Sequence, residues 1–245
     1  MIDWQRIENF VGFGRIDAPA VFIGMEEGLA SPEELDRDLA IRSKYATPIM
    51  DLKEAHRGVA GTERYFDPES APRQPTWRVM ADLMLRRDGV SHPFGDDRRA
   101  YRALRLGRSG GETLLTELLP YPHPRTSDWL YGRITKYATR EAYIAEMLPK
   151  RLRLLSEVLS AAPREIVVCY GKSNWAHYEM LFKTLQWKED SNFRVSVGHD
   201  PKVVFCKHFS ARDFNSNEQL QRFAEIVGGK SAFEASSSSS PATRS

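Results

Sequence analysis

The chain has 245 residues, a net charge of +2 and an apolar fraction of 41%, which suits one large α/β domain or two small ones. That near-neutral balance argues against nucleic-acid binding through bulk charge, leaving only a local basic face open. No apolar run approaches the roughly 18 residues of a membrane span, Asp3 and Arg6 interrupt any signal-peptide core, and the two cysteines, Cys169 and Cys206, sit inside apolar runs as buried thiols would, so a cytoplasmic protein without a membrane partner is expected.

The first strand is predicted over residues 20–25, in AVFIGMEEG. A short apolar run closed by a glycine, two acids and a second glycine reads as a buried strand ending in a turn. Ligands of open α/β sheets sit outside the carboxyl ends of the strands, which puts Glu26 and Glu27 at a pocket, bordered by Gly24, Met25 and Gly28. The alternative is an ordinary strand-to-helix loop with solvated acids. Residues 30–75 form a long insertion, helical near 32–45 and rich in charge and proline. Such a segment reads as a pocket wall or lid.

A helix is expected over residues 76–87, with Trp77, Met80, Ala81, Met84 and Leu85 at helical spacing. In DDRRAYRALRLGR, Arg98, Arg102 and Arg105 share one helical face. They form either a phosphate-binding stripe or a solvated face neutralised by Asp96 and Asp97. The second strand, residues 113–119, runs into PYPHP, whose prolines stop it and stiffen the loop that carries Tyr121 and His123. Glu117 lies inside this apolar run, where a charge is costly unless paired or facing a polar pocket.

Residues 140–161 form a helical pattern, with Pro149 marking a kink or a break. The third strand, 165–170, ends in Gly171-Lys172-Ser173, a weak anion-binding signal at a helix start, followed by a helix over 173–185. Residues 193–197 form either a small extra strand or part of a connection. The fourth strand, 202–208, closes with His208, ahead of Ser210 and Arg212. A last helix is expected over 216–227. Helices alternating with four apolar strands predict a three-layer α/β/α sandwich with a mainly parallel sheet. One domain is expected over residues 1–230, with a disordered serine-rich tail over 231–245.

These motifs resemble the uracil-DNA glycosylase superfamily. Gly24 to Gly28 is similar to its first motif, and His208-Phe209-Ser210 to its last, with phenylalanine in place of the usual proline. Glu117 falls where that family carries a base-reading residue, often asparagine, and Val167 to Gly171 is similar to its third strand. The resemblance spans roughly residues 18 to 228. It implies a four-stranded sheet in the order 2-1-3-4, with the first and fourth strands about 10 Å apart. The usual first-motif proline is absent, with Glu27 in its place. The aromatic that stacks on the base is unassigned, with Tyr45, Tyr65 and Phe66 as candidates. The implied function is N-glycosidic hydrolysis of a damaged or deaminated base in DNA. Glu26 or Glu27 would stabilise the sugar or orient a water, and His208 would donate to the base. Glu117 would read the base edge, either as an acceptor or, if protonated, as a donor. Tyr121, Gly171 and Ser210 would complete the base pocket. Arg98, Arg102, Arg105, Lys172 and Arg212 would hold the nucleic-acid backbone. No metal or other cofactor is expected, since two cysteines do not suffice for the iron–sulfur cluster that some members carry. A monomer is expected. A non-catalytic nucleic-acid or nucleotide binder of the same fold, or an unrelated small-molecule hydrolase, stays open beside this.

Overall fold

The computed structural model describes residues 1–29, 31–124, 129–190 and 192–228; the expected serine-rich tail lies outside them. In chain order the helices are α1 (Trp4–Asn9), α2 (Leu35–Arg42), α3 (Leu52–Ala55), α4 (Pro75–Arg87), α5 (Gly95–Leu104), α6 (Arg140–Ser160), α7 (Trp175–Glu179) and α8 (Asn217–Gly228). The strands are β1 (Gly12–Gly14), β2 (Ala20–Gly24), β3 (Ile49–Met50), β4 (Thr113–Glu117), β5 (Ile166–Tyr170), β6 (Trp187–Asp190), β7 (Phe193–Ser196) and β8 (Lys202–Cys206).

Among the described residues the sheet has eight strands, in the order β3-β1-β4-β2-β5-β8-β7-β6, and is mixed. This corrects the four-stranded expectation. The four apolar runs, β4, β2, β5 and β8, lie side by side and parallel at its centre. β1 is antiparallel to β4, with β3 outside it. On the far edge β7 and β6 form an antiparallel pair beside β8. β1 fits so close to β4 because it opens on a glycine. A Cβ at Gly12, whose φ is +157°, would stand 2.0 Å from the Leu115 carbonyl oxygen.

The period-2 alternation of strand side chains gives the sheet two apolar faces. On one, Phe22, Val168, Val204 and Cys206 pack with Val79 and Leu83 of α4, Tyr101 of α5 and Phe223 of α8. On the other, Val21, Ile23, Val167, Cys169 and Phe205 pack with Leu39 of α2 and Tyr143, Met147 and Leu155 of α6. Helices therefore cover both faces. The two cysteines are buried free thiols on opposite faces.

Local chemistry sets the helix starts. Gln74 caps α4 by accepting from the Trp77 amide, with Pro75 in the first turn. Thr139 caps α6 by accepting from the Ala142 amide. α6 runs through Pro149 without a break. The helix expected over 173–185 is short instead: a 3-10 turn precedes α7, and the chain then enters β6. Among the described residues no helix is long and apolar enough to cross a membrane.

The arginines of the expected stripe, Arg98 and Arg102 in α5 and Arg105 just past its end, are all paired within the protein. Arg98 lies 2.6 Å from Asp82 and Arg86 binds the same carboxylate at 2.6 Å. Arg102 donates to the Pro72 carbonyl at 3.0 Å. Arg105 pairs with Asp88 and Glu112, both at 2.7 Å. Glu112 directly precedes β4, so Arg105 sits at the amino end of the sheet, opposite the rim where the site was expected. Asp82 is fully buried, and removing one member of such a cluster strands the others. Asp82→Ala is expected to lower unfolding stability by about 3–5 kcal/mol, measured by urea denaturation; a loss under about 1 kcal/mol would mean the cluster contributes little.

Candidate functional site

The segments after β2 and β4 leave the sheet together. Leu118 and Leu119 donate to the carbonyls of Gly24 and Met25, both at 2.8 Å, and His123 donates to Glu27 at 2.9 Å. Gly28 and His123 form an isolated parallel bridge. GMEEG and the proline loop are thereby fixed side by side at the carboxyl rim.

The adjacent acids face different surroundings. Glu26, with a side chain 8% exposed, is paired to Arg140 at the start of α6, at 2.8 and 2.9 Å. Burial raises its pKa, while Arg140 opposes that rise. A buried carboxylate ion-paired with a guanidinium and accepting one hydrogen bond from it is a structural tie. Glu26→Ala is expected to lower stability by about 3 kcal/mol through the stranded Arg140, read as a shift in thermal midpoint; an unchanged midpoint would contradict a structural role. Glu27 is 33% exposed and lies 2.7 Å from the buried Arg42. Arg42 also binds Asp38 at 2.5 Å. Burial works against the Arg42 charge, but Glu27 and Asp38 hold its pKa well above the usual arginine value.

Glu27, not Glu26, lines a partly enclosed cavity at this rim. This space encloses about 580 Å³ out to its mouth, of which about 70 Å³ can be reached by the centre of a water molecule. One water needs only about 10–15 Å³ on that second measure. Its walls are apolar and aromatic, with Phe10, Phe13, Trp77, Met80 and Tyr170 among them. Its polar groups come from Glu27, Arg42, Thr116, Glu117 and Arg151. Thr116 is already occupied, donating to the Val11 carbonyl at 2.5 Å. Arg151 donates to the carbonyls of Phe10 and Glu117, both at 2.8 Å, and so ties the chain before β1 to the end of β4. Burial lowers its pKa to about 10. Arg42 and Leu52, from the long insertion, form part of the wall.

Glu117 is the most perturbed acid here. Tyr170 Oη donates to its Oε1 at 2.9 Å, while Oε2 is buried and has no hydrogen-bond partner. Burial first and the charge of Glu27 second raise its pKa to about 8, with the Tyr170 bond pulling the other way. Gly24 makes this packing possible: a Cβ there would lie 2.0 Å from Glu117 Oε2 and 2.5 Å from Tyr170 Oη.

The remaining candidates lie around or away from this cavity. His208 is exposed and does not line it. Its Nδ1 is 2.7 Å from Ser210 Oγ, and its ring is 5.6 Å from that of Tyr170. Desolvation of the ring lowers its pKa. The next residue, Phe209, stacks on Tyr170 at 4.7 Å. Tyr121 faces the α6 side instead, stacked on Tyr143 at 4.6 Å and donating to Glu8 at 2.7 Å. Met25 is buried on that same side. Tyr45 and Phe66 are core residues behind the wall, with Tyr45 against Phe10 at 4.8 Å and Phe66 against Trp77 at 6.3 Å. Gly171 donates to the Cys206 carbonyl at 3.0 Å. Lys172 lies over the Trp175 ring, and Arg212 is exposed. Sequence reasoning missed Phe10, Arg42, Tyr170 and Arg151 as cavity residues and read Trp77 only as a core position. Comparison with protein-family models and with curated proteins found no match.

Proposed function

We propose that the chain is a hydrolase that breaks the N-glycosidic bond of a damaged or deaminated base in DNA. One observation carries this: Glu27 and Glu117, from the ends of two neighbouring parallel strands, border a single aromatic-walled cavity. Bond breaking builds positive charge on the sugar and negative charge on the base. The Glu27 carboxylate suits the sugar side, where it stabilises that positive charge or orients a water. Glu117 suits the base edge, with Trp77 and Tyr170 supplying aromatic surface for a flipped ring. His208 does not line this cavity, so the donor role to the base that the sequence resemblance implies for it is not part of this reading. The sequential order 2-1-3-4 of the four central strands supports a glycosylase-like arrangement, and the carboxyl-end position of the cavity agrees with where such sheets bind ligands. Lys172 and Arg212, exposed near that rim, are the remaining candidates for backbone phosphates, since Arg98, Arg102 and Arg105 are paired within the protein.

The test is mass spectrometry of oligonucleotides, single- and double-stranded, carrying uracil, hypoxanthine, xanthine or alkylated bases. Release of at least one base is expected. Folded protein that releases none would overturn the proposal. One feature favours a binding-only protein of the same fold: Glu27 is already engaged by Arg42. That reading predicts salt-dependent oligonucleotide binding without base release.

A further inference from the structure

The base that leaves can be specified further, on the hydrolase reading just given. Glu117, Gly24 and Tyr170 form a row across three parallel strands: Gly24 is in register with Glu117, and Ile23 with Cys169, one residue before Tyr170. Tyr170 donates to one carboxyl oxygen of Glu117. The other, Oε2, lies over the bare Cα of Gly24 with no partner in the protein. Leaving a buried polar atom unpaired costs about 1–3 kcal/mol. A carboxyl group whose Oε1 already accepts a hydrogen bond places its proton, when it carries one, on Oε2. The charged and titratable groups around it are Glu26 and Glu27 after β2, Tyr170 of β5, Tyr178 of α7, Arg42 of α2 and Arg151 of α6. Both arginines are otherwise engaged, Arg42 by two carboxylates and Arg151 by backbone carbonyls. Burial and Glu27 keep the Glu117 pKa at about 8, so the group is protonated at neutral pH.

We infer that Glu117 is the acid that protonates the departing base, and that the substrate base is of purine type, one that departs as a neutral molecule once a ring nitrogen accepts a proton. In this step the bond from C1′ to the base nitrogen breaks, and its electron pair goes to the base. The Glu117 carboxyl turns from the Gly24 Cα toward the cavity, and its Oε2 proton passes to a ring nitrogen of the base. Water adds to C1′ and gives its second proton to Glu27. The products are the neutral base and a sugar hydroxyl, with Glu117 as carboxylate and Glu27 as acid. Exchange with solvent restores both. Two carboxyl groups with opposite protonation states are the usual division of labour in glycoside hydrolysis.

Three leaving groups separate the possibilities. Hypoxanthine departs readily only when protonated. N7-methylguanine already carries a positive charge and needs no acid. Uracil departs as an anion. Single-turnover release of each is measured from pH 6 to 10 for the wild type and Glu117→Gln. Hypoxanthine release by the wild type is expected to fall above about pH 8. Glu117→Gln is expected to lose at least about 100-fold more on hypoxanthine than on N7-methylguanine. Where hypoxanthine alone is released, a fall above that pH supports the inference and a flat profile overturns it. Equal losses on the two purines, or release of uracil or of N7-methylguanine alone, overturn the inference while leaving the hydrolase reading intact. Release of nothing overturns both. Infrared spectroscopy gives a readout independent of any substrate: a protonated-carboxyl band at pH 7 that is absent in Glu117→Gln is expected, and its absence from the wild type overturns the inference.

Discussion

Glu27→Gln is expected to lower base release by about 10²- to 10⁴-fold, the range for a positioned acid–base group, with little change in stability. Glutamine keeps an oxygen that can accept from Arg42, which lies 2.7 Å from the Glu27 carboxylate. Arg42 also retains Asp38, so the substitution leaves no buried cation alone. The His123 amide continues to donate to the residue-27 carbonyl, which holds the loop in place. What disappears is the negative charge facing the sugar and the oxygen that takes a proton from water. Single-turnover release, paired with a thermal melt, separates the two effects. Near-wild-type release by a folded variant would remove Glu27 from the chemistry.

Gly24→Ala is expected to be nearly as damaging to activity while costing only about 1–3 kcal/mol of stability, as overpacking commonly does. The added methyl group would stand 2.0 Å from Glu117 Oε2 and 2.5 Å from Tyr170 Oη. The carboxyl lies at the end of a flexible side chain and can swing aside, so the fold survives. The hydrogen bond from Tyr170 to Glu117 does not survive that movement, and the Glu117 proton is no longer placed at the base edge. A loss of release of about 100-fold or more is expected, with a cooperative denaturant transition retained. A variant with unchanged release would show that the Glu117–Tyr170 contact has no part in the reaction.

The centre of the sheet was legible because its four strands are buried on both faces, and residues such as Val21 to Ile23 and Val167 to Cys169 therefore read as unbroken apolar runs. The edges were not. β1 and β3 hold only three and two residues, too few for any period to show. β6 has the sequence WKED, whose polar character hides a strand that gains its pairing from β7. The helix expected over 173–185 shows the converse, since its apolar residues Phe182 and Leu185 pack against the core without helical backbone.

The site divided in the same way. That acids stand at the end of β2 follows from the residues alone. Which of two neighbours meets the cavity does not, because residues 26 and 27 lie past the strand, where alternation no longer assigns faces. Tertiary partners decide: Arg140 draws Glu26 toward α6, and Arg42 draws Glu27 toward the cavity. The unusual cost of a glutamate at position 117 was visible in the apolar run around it, but its partner Tyr170 comes from a strand more than 50 residues away. The arginine spacing of α5 was real, yet its meaning depended on Asp82 and Glu112, whose positions only packing fixes. Trp77 reads as one more apolar residue on the buried stripe of α4, and nothing local marks it as a cavity wall.

Crystals grown with free hypoxanthine test most directly the claim that one cavity brings Glu27, Glu117 and an aromatic wall onto a single base. The expected result is ring density between Trp77 and Tyr170, with an edge within hydrogen-bonding distance of Glu117 and with Glu27 beside the glycosidic nitrogen. A ring bound elsewhere, or one lodged in the cavity with Glu117 turned away from it, would contradict the claim.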